Sequence, residues 1–84
     1  MVVKVSEPVT LTCLAEGDPK PLITWIKDDI HVTNGNRFVV KPSGELAIRD
    51  IGKNDEGNYH CVARNKIGFD TKVVRVAVRG ELLD

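Results

Sequence analysis

The chain has 84 residues, which is enough for one small domain with a single hydrophobic core. It carries 12 Lys and Arg against 12 Asp and Glu, so its formal net charge is zero. Because no net positive field exists, we predict neither nucleic acid nor a membrane surface as a partner. No stretch approaches the ~20 apolar residues of a transmembrane helix, and the N-terminus lacks a signal-peptide pattern. We expect a fragment of a larger protein, and if that protein is secreted or membrane-anchored, its targeting segment lies outside this chain.

The chain contains two cysteines, Cys13 and Cys61, which are 48 positions apart. An even count permits one disulfide, and in the chain-entropy model such a crosslink stabilises a small domain by about 4 kcal/mol. A disulfide indicates an oxidising compartment, whereas two reduced, buried thiols would suit a cytosolic protein. Composition alone leaves both alternatives open.

The N-terminal third of the chain predicts two β-strands separated by a turn. Residues 9–13 alternate strictly between apolar and polar side chains, as a half-buried strand does. Proline and glycine at 17–21 interrupt the chain, and a second strand follows at 23–26. In that strand Trp25 faces one side of the sheet and Ile26 faces the other.

The middle of the chain continues with short strands and turns. Residues 28–29 end the second strand, and Asn-Gly at 34–35 predicts a tight turn because both residues tolerate positive φ. Residues 38–41 read as a strand, 42–44 as a turn, and 45–48 as a further strand.

The C-terminal part predicts two more strands. A polar corner at 53–57 precedes a strand at 59–63, and a turn at 66–68 precedes a valine-rich strand at 74–78. Residues 79–84 show no strand pattern and are predicted to be a linker stub. No window has useful helical periodicity, so short strands at regular spacing indicate an all-β sandwich.

Three hallmark residues stand in the order Cys13, Trp25, Cys61. Together with the segments GDPKPLITWIKD at 17–28 and DEGNYHCVARNKIG at 55–68, they resemble I-set domains of the immunoglobulin superfamily. The resemblance implies a two-sheet, Greek-key immunoglobulin-like sandwich over residues 1–78. It also implies a disulfide that joins the two sheets, with the indole packed against it.

The resemblance further implies scaffold roles for individual side chains. Tyr59, two residues before the second cysteine, matches the tyrosine corner, whose hydroxyl binds backbone a few residues upstream. Arg37 matches an arginine that pairs with an aspartate at the position of Asp55. Leu46 matches the core leucine of the middle strand, with Ile48 as its partner.

Two departures from the family pattern carry structural expectations. The first strand is truncated, so we expect unpaired backbone groups beside residues 9–13 or beside 61–65. In the loop after Trp25, Asp29 stands where the family often has glycine, which puts the local turn in question.

Candidate residues for chemistry are few. Ser6 and Ser43 lie in turn-like settings and His31 and His60 lie on separate strands, so no nucleophile and base are predicted to meet. The two histidines with the aspartates at 28–29 lack the close ligand spacing of zinc motifs. We predict no enzymatic activity, no cofactor and no metal.

The outward positions of three predicted strands form a candidate binding face. Branched apolar side chains with a basic border are typical of an adhesive surface, although valine and isoleucine also suit strands in general. The residues of the predicted face are Ile26, Val62, Val73, His60, Arg64 and Arg75.

A basic stripe on the same sheet is a second candidate surface, with heparin-like glycans as its ligand. Neighbouring acidic residues weigh against this role. The residues of the stripe are Arg64, Lys66, Lys72, Arg75 and Arg79.

These observations favour a protein-interaction module from the tandem array of an extracellular adhesion, guidance or matrix protein, either secreted or membrane-anchored. Its partners would be neighbouring domains, a receptor or matrix ligand, or a second copy. The alternative is a spacer domain in a cytoplasmic, sarcomeric protein of the titin-like kind. The two cysteines at bridging positions favour the extracellular alternative.

Overall fold

Alternating buried and exposed side chains form short strands that pack as two facing sheets. The computed structural model describes residues 1–80. A 3-10 helix at Lys53–Asp55 is the one helical segment in that range, and it is too short to cross a membrane. The strands are β1 (Val2–Lys4), β2 (Val9–Leu11), β3 (Leu22–Lys27), β4 (Ile30–His31), β5 (Phe38–Val40), β6 (Leu46–Ile48), β7 (Gly57–Arg64) and β8 (Phe69–Arg79).

The strands form one sheet in the order β1-β8-β7-β3-β4 and a second in the order β2-β6-β5. Strand β1 runs parallel to β8, and the other pairs are antiparallel. The predicted all-β, two-sheet sandwich is therefore confirmed.

The core lies between the sheets and is centred on Trp25, whose exposed fraction is 0%. The predicted disulfide is confirmed, because Cys13, just after β2, is bonded to Cys61 of β7. Since β2 and β7 belong to different sheets, this bond joins the two layers beside the indole. Leu46 and Ile48 of β6 are also buried in this core.

The turn prediction at residues 34–35 is wrong, because neither residue has positive φ. The positive angles belong to Asp28 (φ 53°) and Asp29 (φ 63°), which form the two-residue loop between β3 and β4. Such a loop matches the twist of its strands when both central residues are left-handed. Glycine suits the Asp29 position because it has no Cβ to clash there. Asn34 instead accepts a hydrogen bond from the Val40 N–H at 2.7 Å.

The chain ends also differ from prediction. Strand β8 runs through Arg79, which pairs with Lys4, so the first residue of the predicted linker lies in a strand. Residues 81–84 of the predicted linker lie outside the described residues. The expectation of unpaired backbone beside 61–65 is wrong, because β7 lies between β3 and β8 and is paired on both sides. The other expectation, unpaired backbone beside residues 9–13, is right, since β2 is an edge strand of the three-stranded sheet.

Candidate functional site

One end of the sandwich is closed by a hydrogen-bonded corner around Asp55. Arg37 donates two hydrogen bonds to its carboxylate, at 2.7 and 3.1 Å, and the Gly52 N–H donates a third at 2.8 Å. Burial raises the pKa of Asp55, but these donors outweigh burial and hold that pKa below its usual value. The Tyr59 hydroxyl donates to the Asp55 carbonyl at 2.6 Å. The corner has the geometry that the family resemblance implies for these three side chains.

Tyr59 is fully buried, and its burial is the main cause that raises its pKa to about 12. Replacing Tyr59 by phenylalanine is expected to lower the free energy of unfolding by about 1–3 kcal/mol, because the Asp55 carbonyl loses a buried donor. Urea unfolding monitored by tryptophan fluorescence measures this change. An unchanged urea midpoint and slope would show that the hydroxyl does not stabilise the corner.

The outer face of the five-stranded sheet is the candidate binding surface. We define it by the strand residues that point away from the core, and the register aligns them in cross-strand rows. One row is Ile26–His60–Val73 and the next is Thr24–Val62–Thr71. Ile26 and Val62 are half-buried, and Val73 is 51% exposed. The structure thus places the three predicted apolar residues on one face.

The outer face also contains two large apolar side chains that sequence reasoning missed. Leu22 and Phe69 flank Arg64 in a third row and are 70% and 71% exposed. They lie four positions before Ile26 and Val73 on their strands, so the same alternation would have found them. The strands had been predicted to begin too late to include them.

The charged strand residues in the rows of the outer face are basic. Arg64 lies between Leu22 and Phe69, and Arg75 lies opposite Asn58 in the row beyond His60. The strand residues in these rows include no aspartate or glutamate. The rows therefore combine exposed apolar area with a basic border.

The predicted basic stripe does not form one line. Alternate residues of a strand point to opposite sides, so Lys72 faces away from its neighbours Thr71 and Val73. It lines the groove between β8 and β2 instead. Lys66 lies in the turn after β7, which leaves only Arg64, Arg75 and Arg79 of the stripe on the outer face.

The remaining candidates for chemistry are dispersed or exposed. His31 pairs with Ile26 and therefore lies in the same row as His60, with the isoleucine between them. Ser6 occupies a turn with φ 74°, and Ser43 lies in the turn before β6. Within residues 1–80, no three His, Cys, Asp or Glu side chains are grouped to hold a metal ion.

Two sheets joined by a disulfide beside a buried tryptophan, with a tyrosine corner at one end, define an immunoglobulin-type domain. The sequence model of the immunoglobulin I-set domain matches residues 1–78, and the chain belongs to this family.

The chain is similar to domains of several larger proteins. It is 48% identical to the mouse peroxidasin homolog over 69 residues, which are 82% of this chain and 5% of that protein. The structure of Drosophila OTK extracellular domains 3-5 superposes with a TM-score of 0.86 and 34% identity, covering 94% of this chain and 28% of that one. The structure of the titin M10–obscurin like 1 Ig complex superposes with a TM-score of 0.90 and 25% identity, covering 96% of this chain and 86% of that one. This chain thus corresponds to one small part of the peroxidasin relative.

Proposed function

We propose that this domain is a non-catalytic protein-binding module of an extracellular adhesion, guidance or matrix protein, and that it acts as one unit of a tandem array. The observation that carries the proposal is the outer face, where exposed Leu22, Phe69 and Val73 surround the half-buried Val62. Apolar side chains that share one exposed face supply the centre on which a protein interface is built.

The partner is a different protein whose contact surface is apolar with an acidic border. Two copies of this domain meeting through their outer faces would place two basic borders in one contact without an acidic strand residue from these rows, and like charges at a contact are unfavourable. An acidic border would instead pair with the two arginines. The opposite sheet is a poorer surface, because its short strands present mainly Thr10, Ala47 and Val39 to solvent.

The extracellular setting is supported by the disulfide, since such bonds persist in oxidising compartments. It is also supported by the similarity to the extracellular domains of Drosophila OTK. The similarity to a domain in the titin M10–obscurin like 1 Ig complex favours the second candidate, a spacer in a sarcomeric protein. The two candidates differ in whether the outer face has a ligand.

The test uses fluorescent tetramers of the domain to label the surface of intact cells. Val62→Glu, in the centre of the outer face, is expected to reduce labelling at least tenfold. Val39→Glu is the matched control, because it places the same charge on an exposed strand position of the opposite sheet, and it should label like the parent.

The nature of the ligand is tested on the same cells. Labelling that trypsin removes and heparinase spares supports a protein partner, whereas loss after heparinase alone contradicts it. Absence of labelling on every cell type, or equal labelling by Val62→Glu and the parent, would assign the domain to the spacer class. Circular dichroism melts of each variant show that the fold is retained.

A further inference from the structure

The Asn-Gly pair at 34–35 does not form the tight turn that its sequence predicts, and the backbone gives its glycine no structural role. Gly35 does not have positive φ. A Cβ built on Gly35 would meet nothing within 4 Å among the described residues, so close packing does not require glycine there either. Both residues of the pair are exposed, in the loop between β4 and β5. What Gly35 does provide is an unhindered backbone nitrogen beside the Asn34 carboxamide.

Asparagine is a chemically labile residue, and a following glycine favours attack on its side chain. The Gly35 nitrogen bonds to the Asn34 Cγ and loses its proton, and the side-chain nitrogen leaves as ammonia, which closes a succinimide ring. Water then opens the ring. Opening at the side-chain carbonyl gives aspartate, whereas opening at the main-chain carbonyl gives isoaspartate, in which the main chain runs through Cγ. Water is the only reagent that this reaction consumes.

We propose that Asn34 is a site of spontaneous deamidation, and that its isoaspartyl product uncovers the edge of β5. Among the five asparagines of the chain, Asn34 alone precedes glycine. Asn36 is exposed in the same loop, but it precedes Arg37, whose Cβ hinders the same attack. The Gly35 N–H donates to the Phe38 carbonyl at 2.9 Å and must first leave it, so local opening of the loop contributes to the rate. Asn34 therefore reacts before Asn36.

The same two residues cover the outer edge of β5, which is an edge strand of the three-stranded sheet. The Asn34 Oδ1 accepts from the Val40 N–H at 2.7 Å, and the Gly35 N–H binds the Phe38 carbonyl. Both bonds form because Oδ1 belongs to a side chain, which turns independently of the Gly35 peptide group. In isoaspartate, Oδ1 and the Gly35 N–H belong to one trans peptide group and point in opposite directions. Only one of the two bonds can then face β5, and its edge is left partly open to pairing.

Incubation of the folded chain at physiological temperature in water enriched in heavy oxygen, followed by peptide mass spectrometry, tests the site. Asn34 should exchange its NH2 for OH and take one oxygen atom from the water, at least about tenfold faster than Asn36. In Gly35→Ala, which introduces no clash, the reaction of Asn34 should slow by a similar factor. Circular dichroism melts show that both proteins are folded. Equal rates at Asn34 and Asn36, or equal rates in the parent and Gly35→Ala, would overturn the assignment.

The effect on β5 is tested on the isoaspartyl form, isolated by chromatography. Asn34→Asp is the matched control, because it carries the same added charge without the lengthened main chain, and its carboxylate still accepts from the Val40 N–H. Amide hydrogen exchange at Gly35 or Val40 should be faster in the isoaspartyl form than in Asn34→Asp, which should match the parent. Equal exchange at both amides in the two forms would contradict the uncovering of β5. Neither experiment depends on the ligand proposed for the outer face of the other sheet.

Discussion

Replacement of Trp25 by alanine is expected to lower the free energy of unfolding by about 3–5 kcal/mol. The side chain is fully buried between the sheets, so its removal leaves a large cavity next to the disulfide. The indole Nε1 also donates a hydrogen bond to the Gly44 carbonyl at 3.0 Å, and this buried acceptor would lose its partner. Because small domains are stable by only about 5–15 kcal/mol, the variant should be close to unfolding at room temperature.

Urea unfolding followed by far-UV circular dichroism measures the effect of this substitution. Trp25→Phe is the matched control, since it retains an aromatic ring but cannot donate to Gly44, and it should fall between the parent and Trp25→Ala. A cooperative transition of Trp25→Ala within about 1 kcal/mol of the parent would contradict a central role for the indole in the core.

Removal of the disulfide is expected to lower the free energy of unfolding by about 4 kcal/mol in the chain-entropy model. The bond closes a segment of 48 positions, so the reduced, unfolded chain gains considerable conformational freedom. Urea melts of the parent with and without reductant, together with the Cys13→Ala/Cys61→Ala variant, measure the loss.

Thiol titration supplies the control for that experiment. Protein purified without reductant should show no free thiols when denatured, and reductant should have no effect on the double alanine variant. Two free thiols per chain in the purified protein would contradict the bond. A reduced protein that unfolds at the same urea concentration as the oxidised one would show that the crosslink adds no stability.

Several sequence predictions succeeded because they depend on local alternation. The period-two pattern at 9–13 placed Val9, Leu11 and Cys13 in the core, and all three are buried. The order of Cys13, Trp25 and Cys61 likewise pointed to the family and to the bond between the sheets.

Other predictions failed where backbone geometry depends on the partner strand. Asn34 and Gly35 tolerate positive φ, yet the left-handed residues are Asp28 and Asp29, because β3 and β4 pair up to Lys27 and Ile30. That register leaves two residues for the turn, and such a turn needs positive φ at both. Local preference was outweighed by the pairing of the flanking strands.

The sequence by itself determined six of the eight strands, the family, the disulfide and the buried side chain at the centre of the core. These follow from alternation and motif spacing, which are properties of neighbouring residues. Only the tertiary structure decided that β3 and β8 begin as early as Leu22 and Phe69, since both residues pair with Arg64 of β7. Both pairings depend on the register between strands distant in the chain, and hydrogen bonding and packing set that register once the two sheets have formed.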